Sequence, residues 1–491
     1  MRTSNNIIGV SSVNEVKPYE QQIIDDAVET VIVNWLKHSK GINSLKEMIP
    51  ANSKIVIKPN LVNDNNMLVN SNMTEEERRN LNDCFTTNKA VIISLLKLFK
   101  GISGLDIAII EAPIQFCDIE KIVTKEFLDE LNNAYSEGQI RFVDLRRTIY
   151  YKTEKEPIVK TSLRNESFYI DFDLAEKSEH ERSQKNIDNF RVTDYPPNEM
   201  KKFHSRKKHV YRIAKELFEA DFIFSIPKLK THMKAGMTGA MKNFIGVIGN
   251  KECLPHHTKG CPAHGGDCYG DNSFSKRLVE NILDKANQYM VSDPKKYWKI
   301  RRWARLILKI RWILCMDNDV GGSWYGNDTI WRTIEDINRI VLYGKSDGTI
   351  SDHKQRQIFS LVDAVVAGQE EGPMSPTPYY LNKVIFCDYA ASADIVAATL
   401  MGFDYRKVKY LDLEMLQEML PLIPNEDMSV LLDGKMYTLD GLACQITKAA
   451  IPAERWKGHL ERTDLTLIEP FCYKYSLSVG HIIRRIKSLL K

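Results

Sequence analysis

The chain has 491 residues, of which 43% are hydrophobic and 27% are charged, and its formal net charge is +4. This length exceeds what one hydrophobic core usually covers, so two lobes or one enlarged domain with insertions are expected. The nearly neutral charge excludes a protein-wide nucleic-acid footprint, and no uncharged apolar run is long enough to cross a bilayer.

Short β-branched runs alternate with helical patterns along the chain. The predicted strands are 7–10, 55–57, 107–110, 142–143, 222–226, 359–362 and 383–387, and helices are predicted at 21–37 and 89–100. Such alternation favours βαβ units. We therefore predict an α/β fold, with a mostly parallel sheet or sheets covered by helices and with large insertions.

Two regions interrupt this pattern and suggest the domain organisation. Residues 146–207 are polar with little periodicity, and residues 250–330 combine a Cys/His/Gly-rich loop with a basic aromatic helix. The predicted divisions are an α/β core at 1–249 that includes the excursion 146–207, a lid and basic helix at 250–330, a continuation of the core or a second lobe at 331–445, and a tail with a basic amphipathic end at 446–491.

The N-terminus and the cysteines indicate the compartment. Residues 1–6 hold no apolar segment behind a basic one, so no signal peptide is expected. The nine cysteines are odd in number and mostly scattered, which is typical of reduced thiols in a large chain without an export signal. We expect a cytoplasmic protein.

The sharpest functional signal is the segment 227–246, which directly follows the predicted strand 222–226. Ligands of open α/β sheets bind at the carboxyl ends of strands, and the first N–H groups of a helix favour an anion there. The segment predicts a site for an anionic small molecule, with His232 and Lys242 as catalytic residues and with substrate binding by Lys228, Lys230, Thr238 and Gly239. The alternative is an exposed basic loop with glycine turns.

Lys58 and Asn60 lie at the end of another predicted strand, where Pro59 stops the ladder. A lysine at the end of an apolar strand needs an anionic partner. That partner is either the substrate or Glu111, which ends the strand 107–110 in the same way. Asn60 fits a ligand role and a plain turn equally.

A loop with six ligand-type side chains within sixteen residues predicts a divalent metal such as zinc, iron or nickel. These residues are Cys253, His256, His257, Cys261, His264 and Cys268. Their spacing matches no standard zinc knuckle. The alternative is a glycine-rich lid with incidental cysteines that closes over the site.

Two further places are candidates. Asn327 and Arg332 flank a predicted helix start and are assigned to substrate binding, although capping of that helix explains this region equally well. Glu371 follows Glu370 before a Gly-Pro turn, and paired carboxylates there suit a hard cation or acid–base work. Adjacent residues in an extended loop point apart, so one of the two is expected to face the site.

Four blocks resemble the signature blocks of the bacterial domain-of-unknown-function family 362. They lie at 57–62, 228–246, 326–332 and 368–373, in the order that the family has them. The resemblance implies no settled reaction. Some members of the family carry an iron–sulfur module, but its C-x₂-C-x₂-C run is missing here, so that cofactor is not expected.

The pattern His232-x₃-Gly236-x-Thr238-Gly239-x₂-Lys242 is also similar to a segment of lactate-racemase-like enzymes. That resemblance implies acid–base work by the histidine, a lysine that holds a pyridinium-derived nickel cofactor, and isomerase-like chemistry. The histidine pair expected further along is only approximated by His256 and His257.

Residues 295–314 have the composition of an interfacial helix for anionic lipid. An apolar stripe that includes Trp303, Ile307 and Ile310 runs beside a basic one, and residues 481–491 repeat the pattern. These segments predict reversible contact with an anionic membrane surface. The alternative is that both pack on the protein with solvated basic faces.

Three functions follow from these patterns. The first is an enzyme that acts on a small carboxylate- or phosphate-bearing substrate, with acid–base chemistry that a metal assists. The second is a metal or iron–sulfur carrier built on the Cys/His loop. The third is a non-catalytic accessory at the membrane surface.

Overall fold

The computed structural model describes residues 6–13, 19–151, 158–193, 195–424 and 427–470. Its helices are α1 (Gln21–Ser39), α2 (Glu75–Asp83), α3 (Lys89–Leu98), α4 (Lys125–Ala134), α5 (Pro197–Phe203), α6 (Ala240–Asn243), α7 (Phe274–Asn287), α8 (Pro294–Cys315), α9 (Ile330–Tyr343), α10 (Ala390–Leu400), α11 (Leu413–Gln417) and α12 (Leu439–Ala443). Its strands are β1 (Asn6–Ser12), β2 (Lys54–Pro59), β3 (Asp106–Glu111), β4 (Gln139–Asp144), β5 (Thr148–Tyr151), β6 (Val159–Ser162), β7 (Tyr169–Asp173), β8 (Phe190–Arg191), β9 (His204–Ser205), β10 (Lys208–Ala214), β11 (Phe222–Ile226), β12 (Lys228–His232), β13 (Gly236–Thr238), β14 (His257–Thr258), β15 (Gln357–Glu371), β16 (Ser375–Cys387), β17 (Met428–Leu432), β18 (Lys435–Thr438), β19 (Lys448–Ala449) and β20 (Thr466–Leu467).

An eleven-stranded sheet forms the centre of the fold. Its main path runs β18-β17-β1-β16-β15-β11-β2-β3-β4, and β12 and β13 extend it beside β15. The block from β15 through β11, β2 and β3 to β4 is parallel, whereas β16 pairs antiparallel with both β15 and β1. The predicted α/β fold with a large, mostly parallel sheet is confirmed.

The central strands are buried along most of their length and are mainly apolar, as expected for a sheet covered by helices. Every residue of β11 is buried, and so are all but the ends of β15. Helix α1 packs on β1 and β16 through Trp35, whose ring meets Phe386 edge-on at 5.2 Å and whose Nε1 donates to the Ile7 carbonyl at 2.8 Å. Each of the seven predicted strands lies within an observed one.

Residues 228–232 after β11 form the strand β12, which contradicts the alternative of an exposed basic loop. Pro227 interrupts β11, but the fifteen-residue β15 is long enough to pair in parallel with both β11 and β12. A hairpin then joins β12 to β13, and the single-turn helix α6 follows.

The two irregular regions pack against each other. The excursion 146–207 holds short strands, and its β8 pairs with β14 from the Cys/His loop. Helices α7 and α8 form an antiparallel pair within 250–330. No helix in the described ranges combines the length and the apolar character needed to span a bilayer. The predicted basic segment 481–491 lies outside the described residues.

Candidate functional site

A cavity of about 580 Å³ opens beyond the carboxyl ends of β2, β3 and β11. The sheet side contributes Asn60, Lys230, His232, Lys234, Thr238, Lys242 and Asn243, and residues 250–330 contribute Lys251, His256, Arg301, Arg305 and Asp319. The segment 227–246 and the predicted lid therefore form facing walls. Cationic side chains outnumber carboxylates in this lining, where the acids are Glu111 and Asp319.

Three lysines at the floor of the cavity have no acidic partner within the residues that the structure describes: Lys230 and Lys251 are buried, and Lys242 is half-buried. Lys230 is fully buried, and its ammonium group donates to the Phe85 carbonyl. No carboxylate among the described residues lies within ion-pair distance of Lys230, Lys242 or Lys251. Burial lowers the pKa of Lys230 and of Lys242 to about 7, and the pKa of Lys251 to about 8. The neighbouring lysines lower these pKa values further, because like charges disfavour the protonated form.

His232 lies at the end of β12 with its ring orientation fixed by the turn that follows. Its Nδ1 accepts hydrogen bonds from the backbone N–H groups of Lys234 at 3.0 Å and Ala235 at 3.2 Å. The neutral ring therefore carries its proton on Nε2. Burial, reinforced by Lys242, holds the pKa of His232 well below its usual range, so the ring is neutral at pH 7.

His256 enters the cavity from the opposite wall in the other tautomer. Its Nδ1 lies 2.8 Å from the carbonyl oxygen of Leu254, so Nδ1 donates and Nε2 keeps a lone pair. Burial, with Lys234 next in effect, holds the pKa of His256 well below its usual range. The cavity thus contains one imidazole Nε2–H group and one imidazole Nε2 lone pair.

Two residues of the lining keep polar side-chain atoms without partners. Asn60 Oδ1 and Thr238 Oγ1 are buried and make no hydrogen bond. Asn60 donates instead from Nδ2 to Asn243 at 3.5 Å, and Asn243 is itself held by the carbonyl of Lys58 and by Ser225. Unsatisfied polar atoms cost free energy that a ligand or water recovers.

Two of the lysines assigned to the substrate are instead paired inside the protein. Lys58 is fully buried and lies 2.9 Å from Glu111, which also accepts from the backbone N–H of Leu61. Lys228 lies 2.6 Å from Asp363, and both side chains are fully buried. Neither lysine lines the cavity. The structure thus contains the Lys58–Glu111 ion pair that the sequence predicted as the alternative to a substrate contact.

The N-terminus of α6 holds a carboxylate of the chain itself. Asp394 of α10 accepts hydrogen bonds from the N–H groups of Ala240 at 2.5 Å and Met241 at 3.0 Å. A Cβ at Gly239 would lie 2.0 Å from Asp394 Oδ1, so only glycine permits this approach. Gly239 serves this internal contact, and the helix N-terminus is not available to a substrate anion.

Three other assigned residues stabilise turns outside the lining. Asn327 Oδ1 accepts from the N–H groups at the start of α9, and its Nδ2 donates to the carbonyl of His256 at 3.0 Å. Arg332 donates to the Glu179 carbonyl at 2.8 Å. Glu371 ends β15 and accepts from the backbone N–H of Glu454 at 3.0 Å. Asn327 contributes to the site only indirectly, through its hydrogen bond to the backbone carbonyl of His256.

The predicted metal loop does not bring its side chains together. In the described part of the chain, no group of three or more His, Cys, Asp or Glu side chains is arranged to hold a metal ion. Cys261 and Cys268 pack with Tyr269 in a small apolar cluster, His264 is exposed, and Cys253 Sγ donates to the Asn250 carbonyl. His257 is buried in β14. The geometry therefore does not support the metal prediction, and His256 is the residue of this loop that lines the cavity.

Sequence reasoning missed Lys251 and the role of Asp394. Lys251 lies shortly after the block 228–246, and its positive charge was the only sign in the sequence that it could belong to the site. Asp394 was interpretable only as a helix start, because its contact with α6 spans more than 150 positions. A buried group of His180 and His204 from the polar excursion with His209 of β10, with ring centroids 5.5 to 6.3 Å apart, had no local signature either.

A family model and solved structures are similar to parts of this chain. No curated protein matches the chain. A crystal structure of a protein from Thermotoga maritima, solved by a structural genomics consortium, aligns with a TM-score of 0.30 and 12% identity. The alignment covers 74% of this chain and 56% of that one, so the chain spans little more than half of that protein.

The family comparison agrees with the signature blocks. Residues 166–399 match the model of the family described as Domain of unknown function (DUF362). This range includes three of the four blocks and most of the cavity lining, whereas the block 57–62 lies before it. Residues 166–399 of the chain therefore match the DUF362 family model, as the signature blocks predicted.

Proposed function

We propose that the cavity binds the anionic group of a small carboxylate- or phosphate-bearing substrate and that His256 removes a proton from it. One observation carries this proposal: the buried Lys230 and Lys251 and the half-buried Lys242 have no carboxylate partner among the described residues and share a cavity with two histidines of opposite tautomer. A structural cluster of lysines would be paired with acids, as Lys58 and Lys228 are in the same fold.

The anionic group has the strongest reason to lie beside Lys230 and Lys242. Burying an ammonium ion without a counter-ion is costly, and the low pKa of each lysine expresses that cost. A bound carboxylate or phosphate supplies the missing charge and restores the protonated form. Binding therefore takes up protons near neutral pH.

The two histidines suit proton transfer at a carbon next to that group. His256 Nε2 carries the lone pair that accepts the proton, and the electron pair left on the substrate is stabilised by the lysines. His232 donates its Nε2–H as a hydrogen bond to the developing charge. Neutral His232 thus acts as a hydrogen-bond donor. It can act as a general acid only after it has been protonated to the imidazolium form.

The resemblance to lactate-racemase-like enzymes agrees with this chemistry but is not needed for it. In that resemblance Lys242 would hold the nickel-bearing cofactor. The described residues offer no metal ligand set, so every step above uses only side chains of this chain. The carrier hypothesis has no supporting contact among the described thiols.

The test is a two-stage experiment. Small carboxylates and phosphates are screened by thermal shift, and compounds that bind are incubated in D₂O and followed by NMR for loss of C–H signal. We expect exchange with wild-type protein, none with His256→Gln, and unchanged exchange with the control His264→Gln, whose side chain is exposed outside the cavity. Exchange that survives His256→Gln, or failure of every anion to bind, would refute the proposal.

A further inference from the structure

Helix α8 forms one wall of the cavity and also presents an apolar surface to solvent. Its inner face contributes Ala304 and Leu308 to the lining. Its outer face carries Trp303, Leu306, Ile310, Ile313 and Leu314, which are 62%, 47%, 48%, 68% and 75% exposed. At 100° per residue these five positions lie within a single stripe about 100° wide, opposite the cavity. We refer to these five residues as the outer stripe.

The charge of α8 identifies what this surface fits. The helix contains eight basic residues and no acidic one, and among the basic residues Lys295, Lys296, Lys299, Arg302 and Lys309 are exposed. An exposed apolar stripe flanked only by positive charge is the composition of a helix that lies in the interface of an anionic bilayer. An acidic protein partner would complement the charge but not five adjacent large apolar side chains.

The cavity lining combines basic and apolar side chains. The sheet side offers Lys230 and Lys242, whereas the side formed by α7 and α8 offers the apolar Leu283, Ala304 and Leu308 beside Arg301 and Arg305. A molecule that fills both parts has an anionic head and an apolar portion. Such a molecule partitions into the same bilayer on which the outer stripe would lie.

We infer that α8 binds an anionic membrane surface and that the cavity behind it takes the head of an anionic amphiphile from that membrane. The membrane contact stands by itself, whereas the amphiphilic substrate rests on the proposed function. Together they name the substrate class, namely a lipid-like carboxylate or phosphate.

The membrane contact is tested by co-sedimentation with phosphatidylcholine vesicles that contain or lack phosphatidylserine. Wild-type protein should sediment with the anionic vesicles at low salt, since each basic residue near such a surface raises the partition about fivefold, and high salt should release it. Trp303→Glu with Ile313→Glu should lower the partition at least tenfold. Met436→Glu, at a residue 49% exposed on β18, is the matched control and should sediment like wild type.

Thermal unfolding distinguishes loss of binding from loss of fold. Because Trp303 and Ile313 are exposed, the double variant should unfold at the wild-type temperature. Equal sedimentation with neutral vesicles, sedimentation that the double variant retains, or no sedimentation of wild-type protein at low salt would each overturn the membrane contact.

The amphiphile is tested without vesicles, by comparing octyl phosphate with inorganic phosphate in calorimetry. Octyl phosphate should bind at least a hundredfold more tightly, and Leu308→Asn should reduce that difference because it places a polar but uncharged group against the apolar portion of the ligand. Equal affinities would overturn the amphiphilic substrate and leave the anion site standing. If neither phosphate binds, the proposed function fails as well, whereas the vesicle result is unaffected.

Discussion

Sulfate should bind the cavity more weakly as the pH rises, because the lysines that receive it lose their protons. Sulfate is a suitable probe since its own charge does not change near neutrality. Lys230 and Lys242 each have a pKa of about 7. The protonated fraction of each lysine is therefore about 0.9 at about pH 6 and about 0.1 at about pH 8. Two such lysines weaken binding by about a hundredfold over this range.

Lys242→Met tests the origin of this dependence. Methionine keeps the apolar length of the side chain but removes one titrating group, so the change in sulfate affinity over the same range should fall to about tenfold. The unliganded wild-type protein should also become more stable as the pH rises from about 7 to about 10, because the unfolded chain then holds protons that the folded chain has released. This increase should be smaller in the variant.

Calorimetry in two buffers of different ionisation enthalpy measures both the affinity and the protons taken up. Lys309→Met is the matched control, because Lys309 is exposed on α8 and does not line the cavity. It should leave the affinity, the proton uptake and their pH dependence as in wild type. Sulfate affinity that is independent of pH, or equal proton uptake in Lys242→Met and wild type, would refute the reasoning.

Two further predictions concern stability, and both are measured by urea unfolding. Arg339→Met should lower the free energy of unfolding by about 3–5 kcal/mol. Arg339 is fully buried 2.7 Å from Glu179 and 2.9 Å from Glu335, so the substitution leaves Glu335 without a counter-ion within the described ranges and leaves Glu179 only Arg182 at 3.7 Å. Arg406→Met, at a side chain 69% exposed, should change the stability by less than about 0.5 kcal/mol, and similar losses in the two variants would contradict this account. Gly239→Ala should lower the free energy of unfolding by about 1–3 kcal/mol or more, because the new Cβ would lie 2.0 Å from Asp394 Oδ1. Gly321→Ala, whose Cβ would have its nearest neighbour at 3.5 Å, should be close to neutral, and a Gly239→Ala protein as stable as wild type would show that Asp394 moves freely.

The strands and the position of the cavity were predictable from the sequence because both depend on local patterns. Buried strands such as β11 and β15 appear as continuous apolar runs, and a segment that follows a buried strand emerges at the ligand edge of the sheet. The sequence therefore placed Lys230, His232 and Lys242 at this edge of the sheet without any information on their spatial neighbours.

The partners of the charged groups were decided only by the tertiary structure. Lys58 meets Glu111 because β2 lies beside β3, and Lys228 meets Asp363 because β12 pairs with β15. A basic residue looks the same in the sequence whether its counter-ion is a carboxylate of the chain or a ligand. The difference is made by contacts that span tens to hundreds of positions.

The Cys/His loop shows the same limit for chemistry. Its ligand-type residues are close in sequence, but a metal site requires their side chains to converge, and the backbone of β14 and the small apolar cluster around Tyr269 separate them. His256 alone is directed to the cavity, where the carbonyl of Leu254 selects its tautomer. Composition determined which atoms were available, and packing decided which of them share a site.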